Sequence, residues 1–210
     1  KIWKYILKRS LKKFIDKAFF LILSKLEAFI TKRIYSKFKT FFDLFDLSEF
    51  NLETVNVEPT FSSSGLVYRY NYSELEKVKS LKLNLLIRGG SGILRGEILN
   101  ICKNGIVSFH HADNDTNRGG PAGFWEVFNR EKRTGFIIQK LTEELDGGDV
   151  IFKGYIPTSF YYTLNLAMLY EKSNPFLHKT IEKIVLESPD IKIYPKKKYL
   201  YPLYTIPSVY

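Results

Sequence analysis

The sequence predicts an α/β fold with a mostly parallel sheet, preceded by a basic helical segment at the N-terminus. Three observations carry this. Residues 81–87 form an apolar run too short for a helix and bounded by Arg88, Gly89 and Gly90, as expected of a buried parallel strand. Helix signals occupy 93–103 and stop at Asn104-Gly105 in the manner of a C-cap. Residues 106–110 then read as a second strand. A strand, helix, strand series closes as a right-handed crossover, so the two strands should be parallel neighbours.

The remaining elements follow the same signals. From residue 1 to about 45, Leu7, Leu11, Phe14, Ala18, Ile22, Leu26 and Phe29 recur at steps of three and four, the pattern of an amphipathic helix, and lysines fill much of the rest. The basic run Lys8, Arg9, Lys12, Lys13 and Lys17 beside aromatics suits a helix on a membrane surface or on nucleic acid. A solvated lysine face is the commoner use of such a run and is the expectation. The most apolar stretch, 18–23, is far shorter than the ~20 residues that span a bilayer. A short strand is expected at 54–57, a loop through Pro59 and 62–65, and a short acidic helix at about 73–79. Polar residues 113–120 form a loop, Pro121 opens a helix reaching Asn129, and strands at 136–141 and 150–155 flank a Gly147-Gly148 turn. A helix is expected from Asn174, with Pro175 behind it as a start, through about Glu187. The tail, 188–210, is rich in proline, tyrosine and lysine and carries no predicted element.

The 210 residues, 45% of them apolar, suit one domain: a helical and irregular flank (1–80), a core (81–155) and a tail (156–210). A net charge of +10 and a pI near 9.4 favour anionic partners such as phosphorylated metabolites, nucleic acid or a membrane surface. Cys102 is the single cysteine, which excludes an internal disulfide and a cysteine zinc cluster, fits a reducing compartment and leads to a cytoplasmic expectation. Lys1 stands where a methionine would begin a native chain, so the natural N-terminus is expected upstream.

Chemistry concentrates between Ser108 and Asp149. Ser108 and His110 are two apart on a strand, share one face, and emerge together at its C-terminal end, where open α/β sheets place ligands. A histidine there can donate a hydrogen bond to an oxygen gaining negative charge or exchange a proton near neutral pH. Asp146, on a Leu-Asp-Gly-Gly turn, can approach it from the following segment. His110, His111 and Asp113 are possible metal ligands, but adjacent strand residues point to opposite faces and no partner cluster exists elsewhere, so no metal is expected. Gly89, Gly90 and Gly92 lack the remainder of a phosphate-loop pattern and read as a tight bend.

This segment resembles the catalytic domain of the formyltransferase family, which takes its one-carbon unit from 10-formyltetrahydrofolate. The resemblance lies in the 36-residue separation of His110 and Asp146, in Arg118-Gly119, in Thr134-Gly135, in Leu145-Asp146-Gly147-Gly148-Asp149, and in Gly92-Ile93-Leu94 at the place of the loop that holds the pteridine. It covers about 81–155. One position departs: Ser108 stands where the family has asparagine.

The resemblance implies a Rossmann-like formyltransferase fold lacking its first strand or strands before Lys1. It implies formyl transfer from 10-formyltetrahydrofolate to an amine, with His110 and Asp146 as catalytic residues and Ser108 as the shorter substitute for the asparagine. Gly92, Ile93, Leu94, Leu141, Thr142, Glu143 and Glu144 would line the donor slot, and His111, Arg118 and Gly119 would contact the acceptor. The expected acceptor is a small-molecule amine, a phosphorylated sugar or sugar nucleotide, rather than a nucleic acid. Two rival readings use the same residues: a non-catalytic folate-binding or interaction module, and hydrolysis of formyltetrahydrofolate by water.

Overall fold

In the computed structural model, residues 2–41, 43, 45–90, 92–145, 147–187, 191–195 and 203–208 are described, with side chains from residue 11 onward except that of residue 187. The elements are α1 (Ile2–Ile34), β1 (Thr60–Phe61), β2 (Val67–Arg69), α2 (Tyr72–Ser80), β3 (Leu86–Arg88), β4 (Ile93–Leu94), β5 (Ile106–His110), β6 (Arg118–Gly119), α3 (Phe124–Phe128), β7 (Arg133–Lys140), β8 (Asp149–Pro157), α4 (Tyr162–Glu187) and β9 (Leu203–Tyr204). The central sheet has the order β3-β5-β7-β8. Small sheets β1-β2-β4 and β6-β9 flank it.

The expected parallel pair is present, but its first strand is shorter than 81–87 and includes Arg88. Strand β3 lies against β5 with Leu86 opposite Ile106 and Arg88 opposite Ser108, while Lys82, at φ 49°, keeps the start of the expected run out of the strand. Beyond it the sheet is mixed rather than mostly parallel, since β7 runs antiparallel to both β5 and β8. The turn at 141–148 is too short to carry the crossover of a dozen or more residues that parallel neighbours need, so β7 and β8 form a hairpin.

The link from β3 to β5 differs from the helix expected at 93–103. Gly92 and Gly96 take positive φ (86° and 84°), which a continuing right-handed helix cannot include. Between them Ile93 and Leu94 pair with β2, and one turn of 3₁₀ helix, Glu97–Asn100, buries Ile98 and Leu99. No strand forms at 54–57; a hairpin appears instead a few residues later, where β1 and β2 pair around the turn at 62–65 and the Gly65 amide donates to the Ser62 carbonyl. Helix α2 forms as expected, with the Asn71 side chain accepting from the Glu74 amide at its N-cap.

Helix α3 starts at Phe124 after Gly123 in the left-handed region, later than a start at Pro121. Helix α4 starts at Tyr162 and carries Pro175 in its interior, whereas a start near Pro175 was expected. Burial of Ala167 and Leu169 in the first half and of Ile184 in the second, with Phe176 stacked beside Phe136 and Phe152 (ring centroids 5.6 and 4.8 Å), outweighs the ~3 kcal/mol cost of an interior proline.

The core divides along the pleat of β5. Ile106 packs with Leu75, Ile98 and Leu99 on one face, and Val107 packs with Ile138 and with Ile184 of α4 on the other. No helix among the described residues is long and apolar enough to cross a membrane.

Candidate functional site

The alternation that separates Ile106 from Val107 continues to the end of β5. Ser108 and His110 follow Ile106 onto the face away from α4, while Phe109 and His111 turn toward it. Ser108 and His110 open into a cavity of about 120 Å³, together with Arg88, Gly92, Ile93, Leu94, Leu141, Thr142 and Glu144. The structure thus brings Ser108, His110 and most of the expected donor-slot residues to one place. Asp146 lies outside the described residues; Leu145 and Gly148, near it on either side, line the cavity.

Close backbone approach shapes the walls. A Cβ on Gly92 would lie 2.6 Å from the Tyr68 ring, and one on Gly148 would lie 2.5 Å from the Lys140 carbonyl oxygen. The Arg88 guanidinium donates to the Gly92 carbonyl and so ties β3 to the bend that follows it. Arg88 and Leu94 also border a larger, more apolar cavity of about 670 Å³.

Glu143 does not line the small cavity. Its carboxylate accepts from the Gly96 amide (2.6 Å) and from Arg95 (3.2 Å), pinning the 141–148 turn to the bend after β4. These contacts, the backbone amide first, hold its carboxyl below the usual range. Within the turn, the Thr142 hydroxyl donates to the Gly147 carbonyl and accepts from the Glu144 amide.

Sequence reasoning missed Gln139. It stands opposite Ser108 across the β5–β7 pairing, is 4% exposed, and lines the same cavity, where its Oε1 has no hydrogen-bond partner among the described residues. A buried amide oxygen without a partner costs stability unless a ligand or water completes it. The available signal was the alternation of β7, in which Gln139 is a polar residue following the apolar Phe136, Ile137 and Ile138.

The residues expected to meet the acceptor are not gathered at this cavity. His111 packs between Phe109 (ring centroids 4.9 Å) and Tyr170 (4.5 Å), with Nε2 3.4 Å from the Ser173 hydroxyl on α4. Burial, assisted by the neighbouring His110, pushes its pKa down to about 4, so it is neutral at physiological pH. Arg118 and Gly119 form β6 and pair with β9; a Cβ on Gly119 would lie 2.2 Å from the Tyr204 carbonyl oxygen.

Asp113, considered as a metal ligand, belongs to a polar network. It accepts from the Tyr155 hydroxyl at 2.6 Å and lies 3.4 Å from Lys153, which also reaches Asp115 at 2.6 Å. Burial and then the bond to Asp113 push the Tyr155 hydroxyl up to about 12. Burial opposes the Lys153 charge, yet Asp115 and Asp113 together leave its pKa raised. This network fixes the turn that follows β5 and hence the end of the strand bearing His110.

No family model matches the chain. Over 120 residues it is 30% identical to the methionyl-tRNA formyltransferase of Bacillus subtilis, covering 55% of this chain and 37% of that protein. The methionyl-tRNA formyltransferase of Bacillus velezensis is 34% identical over 100 residues, 47% of this chain and 31% of that protein. The chain therefore spans about a third of the length of the curated relatives it matches. Among solved structures, HypX from Aquifex aeolicus superposes with a TM-score of 0.47 at 20% identity, over 62% of this chain and 24% of that one.

Proposed function

Starting from a chain that matches methionyl-tRNA formyltransferases over 100 to 120 of its residues, we propose that it transfers a formyl group from 10-formyltetrahydrofolate to an amine. The observation that supports this most is the meeting of Ser108 and His110 with residues 92–94 and the 141–148 turn on one small cavity at the C-terminal end of β5. In this reading the acceptor nitrogen bonds to the formyl carbon, the bond from that carbon to N10 of the folate breaks, and the proton lost by the amine ends on N10. His110 donates a hydrogen bond to the formyl oxygen as it gains negative charge, a contribution of roughly 3 kcal/mol for a well-placed donor. Asp146 relays the proton through water, the role that the family resemblance gives it.

Ser108 reaches less far than an asparagine, and its hydroxyl donates to the Phe109 carbonyl at 3.0 Å. The carboxamide of Gln139, directly across the strand pair, supplies an amide at the same cavity. At about 120 Å³ the cavity is smaller than the ~300 Å³ of ordinary ligand pockets, so it takes the formyl end of the donor. The rest of the donor would pass Arg88 and Leu94 toward the neighbouring 670 Å³ space. A phosphorylated amino sugar or sugar nucleotide as acceptor suits the net charge of +10. The non-catalytic reading takes Ser108, in place of the family's asparagine, as a mark of lost chemistry.

Isothermal titration with a stable formylfolate analogue tests the donor site without knowledge of the acceptor. Saturable binding is expected, and absence of binding at high micromolar concentration by folded protein overturns the proposal. Where binding occurs, release of tetrahydrofolate that requires an added amine marks transfer, and release without one marks hydrolysis.

A further inference from the structure

Helix α1 meets the rest of the chain with a face that mixes polar and apolar side chains. Thr31, fully buried, lies 3.4 Å from the Thr163 hydroxyl, and the Glu27 carboxylate accepts from the amides of Tyr162 and Thr163 at the start of α4. Phe20 packs on Phe124 and Tyr162 (5.2 and 5.5 Å), and Asp16 lines the groove between α1 and α3. At 3.6 residues per turn these positions share one face.

The opposite face is apolar and exposed. Leu11, Ile15, Ile22, Leu26 and Phe29 follow one another on that side, each 47–58% exposed, and Phe14, Leu21 and Ile30 are exposed beside them. A soluble helix normally shows the reverse arrangement, so this stripe calls for a cover. The charges say which. The helix carries nine lysines and arginines against two carboxylates, Asp16 and Glu27, and both carboxylates belong to the inner side just described. Lys25 and Lys32 border the stripe, and Arg33 lies 4.1 Å over the Phe29 ring at its end. A second copy laid antiparallel would set cations against cations. An anionic bilayer surface accepts both the apolar stripe and its basic borders, with long cationic side chains reaching up to the headgroups.

We propose that the outer face of α1 lies in the interface of an anionic membrane, parallel to the surface and without crossing it. Sedimentation of the full chain with vesicles tests this, using phosphatidylcholine alone and phosphatidylcholine with a third of phosphatidylglycerol. The wild type pellets with the anionic vesicles and stays largely in solution with the neutral ones. Ile22→Asp with Leu26→Asp, both outside the packed face, lowers anionic-vesicle binding at least about tenfold while the circular dichroism spectrum is kept. Lys25→Glu with Lys32→Glu lowers it without touching the apolar stripe.

Three results overturn the proposal. Vesicle binding unchanged by the two aspartates means that charge alone holds the chain. Equal binding to neutral vesicles removes the role of the cations. A dimer by light scattering that dissociates in the aspartate variant, with no vesicle binding, assigns the stripe to a second copy.

Discussion

His110 and His111 are joined by one peptide bond yet occupy opposite faces of β5, one lining the cavity and the other stacked against α4. Their consequences separate accordingly. The unfolded chain protonates His111 near the ordinary value of 6.5, whereas the folded state resists until about 4. Stability is therefore fully present above about 6.5 and is lost as pH falls toward 4, by up to roughly 3 kcal/mol. Urea midpoints of the wild type and His111→Gln at pH 7 and pH 4.5 check this: the wild type drops by more than the variant. At His110 the expected loss is of turnover. His110→Ala removes most of the amine-dependent release of tetrahydrofolate, Ser108→Asn preserves or raises it, and Gln139→Leu lowers it about tenfold or more with little change in melting temperature. A Gln139→Leu protein with wild-type turnover would leave that residue a purely structural part of the cavity.

Among the elements, the turn after β5 is held by contact as much as by hydrogen bonds. Gly135 on β7 passes so close to Asp113 that an added Cβ would lie 2.6 Å from the Asp113 Cβ and 3.0 Å from its backbone nitrogen. Gly135→Ala should cost about 1–3 kcal/mol by forcing the turn outward, measurable as a lower denaturant midpoint with an unchanged slope. That turn also shows what the sequence could reveal. Strands β5, β7 and β8 and helix α2 were legible because their apolar alternation or capping residues act locally. The stretch 93–103 was not, because its fate turns on the positive φ of Gly96 and on pairing of residues 93–94 with β2, a partner some 26 residues upstream. Gln139 escaped for a related reason. A polar residue on a strand reads as outward-facing until its register against Ser108 places it inside.

For the molecule as a whole, the family resemblance pointed to the residues of the cavity but not to the structure around them, because the motifs that carry it lie between Gly92 and Asp149. Helix α1 precedes those motifs, and its structural role came only with the fold. Helix α4 has no acidic residue in its first turn, and the amides at its start are satisfied by Glu27 instead, at 2.9 and 2.6 Å. Glu27→Gln should lower the melting temperature by about 2–4 °C, read by calorimetry, through loss of the charge at that terminus. The same contact has a meaning in time. Residues 135 apart in the chain must meet before the first turn of α4 is complete, so that turn is a late event in folding. Stopped-flow refolding would then show Glu27→Gln acting on the unfolding rate and leaving the folding rate nearly untouched. A nascent chain whose first helix has not yet docked would carry an α4 frayed at its beginning.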